Sequence, residues 1–191
     1  MNDLENRFIN VDRKNFLPEE IKKYYSWDSP LEIGYGQTTS QPSLIIKMIK
    51  ILNPDENSKV LEIGTGCGYQ TALLACVSKT VYTIELIEKL SLFAQKNLSD
   101  LDFENIFFRI ADGNHGWKEF SPFDRIIISA GSLKVSDELI EQLNINGKLL
   151  APIGGSSFQT LTLIEKDENE KIFTSKYDDV RFVELKGNSG W

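Results

Sequence analysis

Apolar positions in the middle of the chain fall into short unbroken runs separated by polar or glycine-rich breaks. Lys59–Ile63, Thr80–Glu85, Ile106–Ala111, Asp124–Ser129 and Gly147–Ile153 show the near-continuous apolar pattern of strands buried on both faces. Between them, Gln70–Val77, Ile87–Leu98 and Ser136–Leu143 are expected as helices. Strand alternating with helix predicts an α/β fold, a Rossmann-like, doubly wound three-layer sandwich whose sheet is mostly parallel. Toward the end of the chain the helices stop. Thr160–Glu165 and Asp179–Leu185 read as strands on either side of the polar turn Lys166–Lys171, an antiparallel pair at the sheet edge. Upstream, Leu44, Ile45, Met48 and Ile49 share one face of a helix expected over Ser43–Leu52. Phe8, Ile9, Phe16, Leu17, Ile21, Tyr24, Tyr25 and Trp27 are expected in short packed helices. No repeat or linker interrupts the pattern, so residues 1–191 read as a single domain with an N-terminal helical extension to about residue 52.

Charge narrows the function. The net charge of −7 comes from 28 acidic and 21 basic side chains with no long basic run, which argues against nucleic-acid binding. No apolar run reaches the roughly 18–20 residues that span a bilayer. The first fifteen residues are charged and lack the apolar core of a signal peptide, so a cytoplasmic location without membrane attachment is expected. Cys67 and Cys76 lie on one turn-plus-helix unit, too close for a structural disulfide, and read as packing residues. A helix N-terminus beside Cys67 would lower its thiol pKa and favour oxidation. His115 is the only histidine, which argues against a histidine metal site and against Ser-His or Cys-His triads; no metal is expected.

The most specific chemistry sits at Val60-Leu61-Glu62-Ile63-Gly64-Thr65-Gly66-Cys67-Gly68-Tyr69, where a strand runs into a glycine-rich turn and a helix. Such a turn lets a ligand approach the backbone closely. A dinucleotide turn needs G-x-G-x-x-G, yet Tyr69 stands where the third glycine belongs. Glu62 would repel a pyrophosphate and suits a cation, such as the ammonium or sulfonium of S-adenosyl-L-methionine (SAM). Glu85, ending the second strand, can accept two ribose hydroxyls, and Asp112-Gly113 after the third can bind the adenine amino group and admit the ring. Tyr69 and Trp117 are candidates for cofactor contact or for packing.

With these residues placed, the chain resembles the protein-L-isoaspartate O-methyltransferase family of class I SAM-dependent methyltransferases, from about Val11 to Trp191. The SAM loop is matched by Val60–Ala72, the ribose strand by Val81–Glu85, and later segments by Ala111–Gly113, Phe123–Ile127 and Pro152–Gly155. More diagnostic is Gly34-Tyr35-Gly36-Gln37-Thr38-Thr39-Ser40-Gln41-Pro42, similar to the family's Gly-x-Gly-Gln-Thr-Ile-Ser-x-Pro signature. The resemblance implies Ser40 as the active-site serine. It implies a cofactor pocket of Thr39, Glu62, Gly64, Thr65, Gly66, Gly68, Glu85, Leu86, Asp112 and Gly113. Thr38, Val180, Phe182 and Val183 would face the substrate peptide. Three positions depart from the family: Thr39 replaces isoleucine, Leu86 a frequent arginine, and Glu184 a common proline.

The implied reaction is methylation of the free α-carboxylate of isoaspartyl residues in damaged proteins by a monomeric enzyme, yielding S-adenosyl-L-homocysteine (SAH) and starting repair through a succinimide. A carboxylate is already ionised at neutral pH, so no strong base is needed. Ser40 would orient it, with Thr38 or Thr39 assisting and the loop closing over the cofactor. Alternatively, Ser40 simply caps the next helix. Other readings stay open: the same fold acting on another peptide or small-molecule carboxylate, a SAM-binding protein without catalysis, and a dehydrogenase.

Overall fold

The computed structural model describes residues 7, 8 and 10–187; Ile9 and Trp191 lie outside the described residues. After two short 3-10 turns, Arg13–Phe16 and Glu19–Tyr24, the chain forms a hairpin of β1 (Leu31–Gly34) and β2 (Gln37–Thr39). The short helices expected near the start are these 3-10 turns, and the hairpin interrupts the helical extension expected to run to the end of α1 (Pro42–Leu52). Gly34 and Gly36 adopt positive φ around the turn, the conformation that glycine supplies without strain.

The main sheet contains β3 (Lys59–Ile63), β4 (Thr80–Glu85), β5 (Ile106–Ile110), β6 (Phe123–Ile128), β7 (Leu143–Gly154), β8 (Gln159–Lys166) and β9 (Ile172–Val180). Their order is β5-β4-β3-β6-β7-β8-β9; the first five are parallel, and β8 and β9 add antiparallel. Helices α2 (Tyr69–Ala75), α3 (Glu88–Ser99) and α4 (Asp137–Glu141) connect the parallel strands. Alternate residues of β3 feed opposite sides. Val60 packs with Ile45, Met48 and Ile49 of α1 and Leu73 and Leu74 of α2, while Leu61 and Ile63 pack with Ile126, Ile128 and Leu139 of α4. That division is the three-layer sandwich, and it fixes β3 between two apolar layers.

The main departures from the expected boundaries lie near the end of the chain. The helix predicted over Ser136–Leu143 stops at Glu141 because Leu143 already pairs with Phe123 as β7 begins. The last strand is Ile172–Val180, not Asp179–Leu185. Its residues through Asp179 are exposed on both faces, Ile172, Phe173 and Tyr177 included, so no alternation of buried and exposed positions marks it. Arg181–Leu185 leaves the ladder as an extended strap. Gly131 N–H donates to Val183 O (2.8 Å) and Leu185 N–H to Gly131 O (2.7 Å), which lays the strap across the carboxyl edge of the sheet.

Candidate active site

Strand order reverses at β3, with β4 on one side and β6 on the other, and a crevice opens beyond their carboxyl ends. The glycine turn fills it. Gly64, Gly66 and Gly68 all have positive φ, and Gly64 N–H bonds Ile84 O (2.8 Å), tying the turn to the end of β4. Gly64, Thr65 and Gly66 line the cavity with Ile33, Leu86 and Ile87. Gly68 lies behind it as the left-handed N-cap of α2, where a Cβ would meet Leu98 at 3.0 Å.

Glu85 is buried and faces this cavity. Its two oxygens accept the N–H groups of Gly66 (2.9 Å) and Ile87 (3.0 Å), which fix the carboxylate and leave a lone pair on each oxygen. A preorganised, half-satisfied carboxylate suits a pair of vicinal hydroxyls. Leu86 beside it is 43% exposed and forms part of the rim.

Glu62 has a different place from the one expected. It is fully buried below the cavity, with Oε1 bonded by Gln70 (3.0 Å) and Oε2 by Thr71 (2.6 Å) and Thr83 (2.7 Å). The expected direct contact with a bound cation does not fit this burial, because the carboxylate is enclosed by protein donors and lies off the cavity wall. With Glu62 ionised, Thr83 gives its proton to Glu62, so Thr65, 2.6 Å from Thr83, gives its own to Thr83 and keeps only acceptor capacity toward the cavity. Burial raises Glu62 to about 7, against the pull of these donors.

Asp112 also stands apart from the cavity wall. Its Oδ1 accepts from Asn114 N (2.9 Å) and Nδ2 (2.7 Å), and Gly187 passes so close that a Cβ there would fall 2.3 Å from Oδ2. Gly113 does line the cavity, and a Cβ on it would lie 2.3 Å from Ile63 Cγ2. Close packing on β3 thus requires this glycine irrespective of any ring.

A second cavity runs alongside, lined by Thr38, Ser40, Lys47, Val180, Phe182 and Val183 among others. Thr38, Ser40, Ser129 and Val183 border both cavities, so the two meet there. Thr39 is buried toward the first cavity. The loop bearing Ser40 is fixed from two sides. Buried Arg13 donates to Trp27 O (2.7 Å), Ser29 O (2.9 Å) and Ser40 O (3.3 Å). Asp28 accepts from Ser43 N (2.9 Å) and Gln41 Nε2 (2.9 Å), which holds its pKa down. Gln41, not Ser40, occupies the N-cap of α1 and Asp28 supplies the cap, so Ser40 is not the helix cap. Lys47 pairs with Asp178 across the second cavity, joining α1 to β9.

Tyr69 lines the first cavity and also packs 5.6 Å from Phe16. Trp117 packs against Tyr82 and Phe120 and lies off the cavity wall. Cys67 and Cys76 are free thiols; Cys67 is buried, and burial raises its pKa, reversing the expected helix-dipole activation. His115 bonds Glu138 at the surface (2.9 Å). Sequence reasoning passed over Ser129, although its place just after the strand beside the switch point was a usable signal. Arg13 offered none, because its partners are backbone carbonyls.

The chain is similar to known proteins in both sequence and fold. A family model described as protein-L-isoaspartate(D-aspartate) O-methyltransferase (PCMT) matches residues 2–190. A protein-L-isoaspartate O-methyltransferase of Dictyoglomus thermophilum is 44% identical over 186 residues, covering 97% of this chain and 84% of the relative. Another, from Petrotoga mobilis, is 45% identical over 187 residues, covering 97% and 88%. A solved protein-L-isoaspartate O-methyltransferase superposes with a TM-score of 0.90 at 29% identity; the match covers 100% of this chain and 63% of that one, less than two thirds of its length. A Plasmodium falciparum structure assigned as a protein-L-isoaspartate O-methyltransferase, in complex with S-adenosyl-L-homocysteine, gives 0.86 at 26% identity, covering 98% and 92%. By its sequence and fold together, this chain belongs to the protein-L-isoaspartate(D-aspartate) O-methyltransferase family.

Proposed function

We propose that the protein uses S-adenosyl-L-methionine to methylate the free α-carboxylate of L-isoaspartyl residues in damaged proteins and peptides, releasing S-adenosyl-L-homocysteine. The observation that carries this reading is the meeting of two cavities at Thr38, Ser40, Ser129 and Val183. One cavity has the fixed Glu85 carboxylate and a close-approach glycine turn; the other is an open groove flanked by the end of β9 and its strap. Two ligands, one a hydroxyl-bearing cofactor and the other a peptide, fit such a pair.

When bound, the cofactor supplies an electrophilic methyl group on a sulfonium. Glu85 would hold its ribose hydroxyls, Gly64 and Gly66 its chain, and Thr65 would offer an oxygen lone pair to its ammonium. Leu86 and Gly113 would border its ring, with Asp112 and Gly68 setting the turns behind. Thr39 closes the inner wall. Ser40, supported by Thr38, donates a hydrogen bond that orients the substrate carboxylate, which is ionised at neutral pH and needs no base. Val180, Phe182 and Val183 lie along the peptide. Positioning of this kind can lower a barrier by up to about 7–11 kcal/mol. The methyl ester is a better acyl electrophile than the ionised carboxylate, so the neighbouring backbone nitrogen attacks its carbonyl, methanol leaves as the succinimide closes, and hydrolysis returns part of it as normal aspartate.

A monomer acting on protein substrates in the cytoplasm, without nucleic acid, belongs to the same proposal. The acidic net charge and the free thiols support it. The described residues contain no helix long and apolar enough to cross a membrane. Radiolabelled SAM with matched isoaspartyl and aspartyl peptides tests the reaction. Transfer to the isoaspartyl peptide alone is expected; transfer to neither, with SAH still bound, would replace the reading by a cofactor-binding role.

A further inference from the structure

Ser129 follows β6 directly, and its N–H donates to Ile63 O (2.9 Å), so its backbone is fixed against the end of β3. Its side chain reaches the shared wall of the two cavities. There Oγ lies 2.7 Å from Gln70 Nε2, and the same nitrogen lies 3.0 Å from Glu62 Oε1. An amide nitrogen carries two protons and no acceptor capacity, so it donates one to each. Ser129 Oγ is therefore an acceptor toward Gln70 and must give its own proton in another direction. With Glu62 ionised this assignment is one-sided: turning the Gln70 amide over would set its carbonyl oxygen against the carboxylate.

We propose that Ser129 is a second hydroxyl donor to the substrate carboxylate, beside Ser40, and that Gln70 and Glu62 are positioning residues that fix its direction. The inference rests on the carboxyl-methylation reading above and deepens it. A carboxylate has two oxygens, and one donor leaves it free to pivot about a single hydrogen bond. Two hydroxyls from separate elements, one on the loop after β2 and one after β6, define its orientation. The same buried carboxylate then serves both cavities with opposite polarity. Through Gln70 it frees a proton donor for an anion, and through Thr83 it leaves Thr65 as an acceptor for a cation.

The experiment compares wild type, Ser129→Ala, Ser129→Thr, Gln70→Leu and the Gln70→Leu/Ser129→Ala double variant. The readouts are kcat and KM for an isoaspartyl peptide with labelled SAM, and the Kd of SAH by calorimetry. Ser129→Ala is expected to lower kcat/KM for the peptide by about 10- to 100-fold, the scale of one hydrogen bond to a charged group. SAH affinity should change by less than about 3-fold, the scale of a substitution away from the binding contacts. Ser129→Thr should retain most activity. Gln70→Leu should lose less than Ser129→Ala, and the double variant should be no worse than Ser129→Ala, because Gln70 acts through that hydroxyl. Wild-type activity in Ser129→Ala overturns the inference and leaves isoaspartyl methylation standing. Equal losses of transfer and SAH affinity make Ser129 a cofactor-wall residue, and additive losses in the double variant remove Gln70 from the positioning role. A wild type that transfers nothing to the isoaspartyl peptide overturns the reading and the inference together.

Discussion

The two cavities that meet at Ser40 are built in contrasting ways. The wall around Glu85 comes from strand ends and the turn after β3, in a sheet covered on both faces, and its contacts are short backbone bonds within that unit. The wall around Lys47 and Val180 is assembled from a hairpin, the first turns of α1 and the end of an edge strand, brought together by side chains such as Arg13, Asp28 and the Lys47–Asp178 pair. The first is a property of the sheet topology, common to many chemistries. The second depends on side-chain cross-links between distant segments, and the proposed function assigns substrate selection to it. Substitutions in the first wall should therefore damage cofactor binding, and those in the second should damage transfer while sparing it.

Glu85→Ala gives the largest expected effect. Losing two charge-assisted bonds of about 1.5–3 kcal/mol each should weaken SAH binding by at least about 100-fold in calorimetry. An unchanged Kd would remove Glu85 from the cofactor site.

Glu62→Gln comes next and separates stability from binding. The folded pKa of Glu62, raised to about 7, lies above its ordinary 4.5, so the folded state binds the extra proton between these values. Its contribution is then fullest below the unfolded pKa and is lost as pH rises toward 7, by about 3 kcal/mol at most. Urea denaturation at pH 4.5 and pH 8 should show that decline in the wild type and a flatter dependence in Glu62→Gln. Identical slopes would place the proton elsewhere.

Ser40→Ala should reduce methyl transfer by about 10- to 150-fold with SAH affinity nearly intact. Full activity toward isoaspartyl peptide would contradict its orienting role. Arg13→Met has the smallest expected effect, destabilising the fold by about 1–3 kcal/mol because buried carbonyls lose their donor. Transfer should fall more than SAH binding, because the released carbonyls include that of Ser40. If cofactor affinity fell first, the division between the two walls would fail.

The same division governed what could be read from the chain. β3 and β4 match the expected Lys59–Ile63 and Thr80–Glu85 because strands buried on both faces must be continuously apolar. Gly64, Gly66 and Glu85 were visible for the same reason, as breaks at the ends of such runs. Glu62 was recognised as unusual but misplaced, since its spacing does not disclose which face of β3 it takes or that three donors enclose it. The hairpin at Leu31–Thr39 was hidden because it is short, and β9 because exposed strands need no apolar alternation. Arg13 and Asp28 act on backbone atoms far along the chain, contacts that leave no periodic mark.

The exposure of β9 also bears on how copies of the protein behave toward one another. Within the sheet of described residues, β9 is the terminal strand and pairs on one side only, with β8. A bare strand edge is a template for a neighbouring chain. Along this one, Lys176, Asp178 and Asp179 set charge beside the open backbone, and a partner strand of the same sequence would have to desolvate it. These charges at the end of the exposed β9 thus work against edge-to-edge aggregation and keep the groove beside it available to substrate.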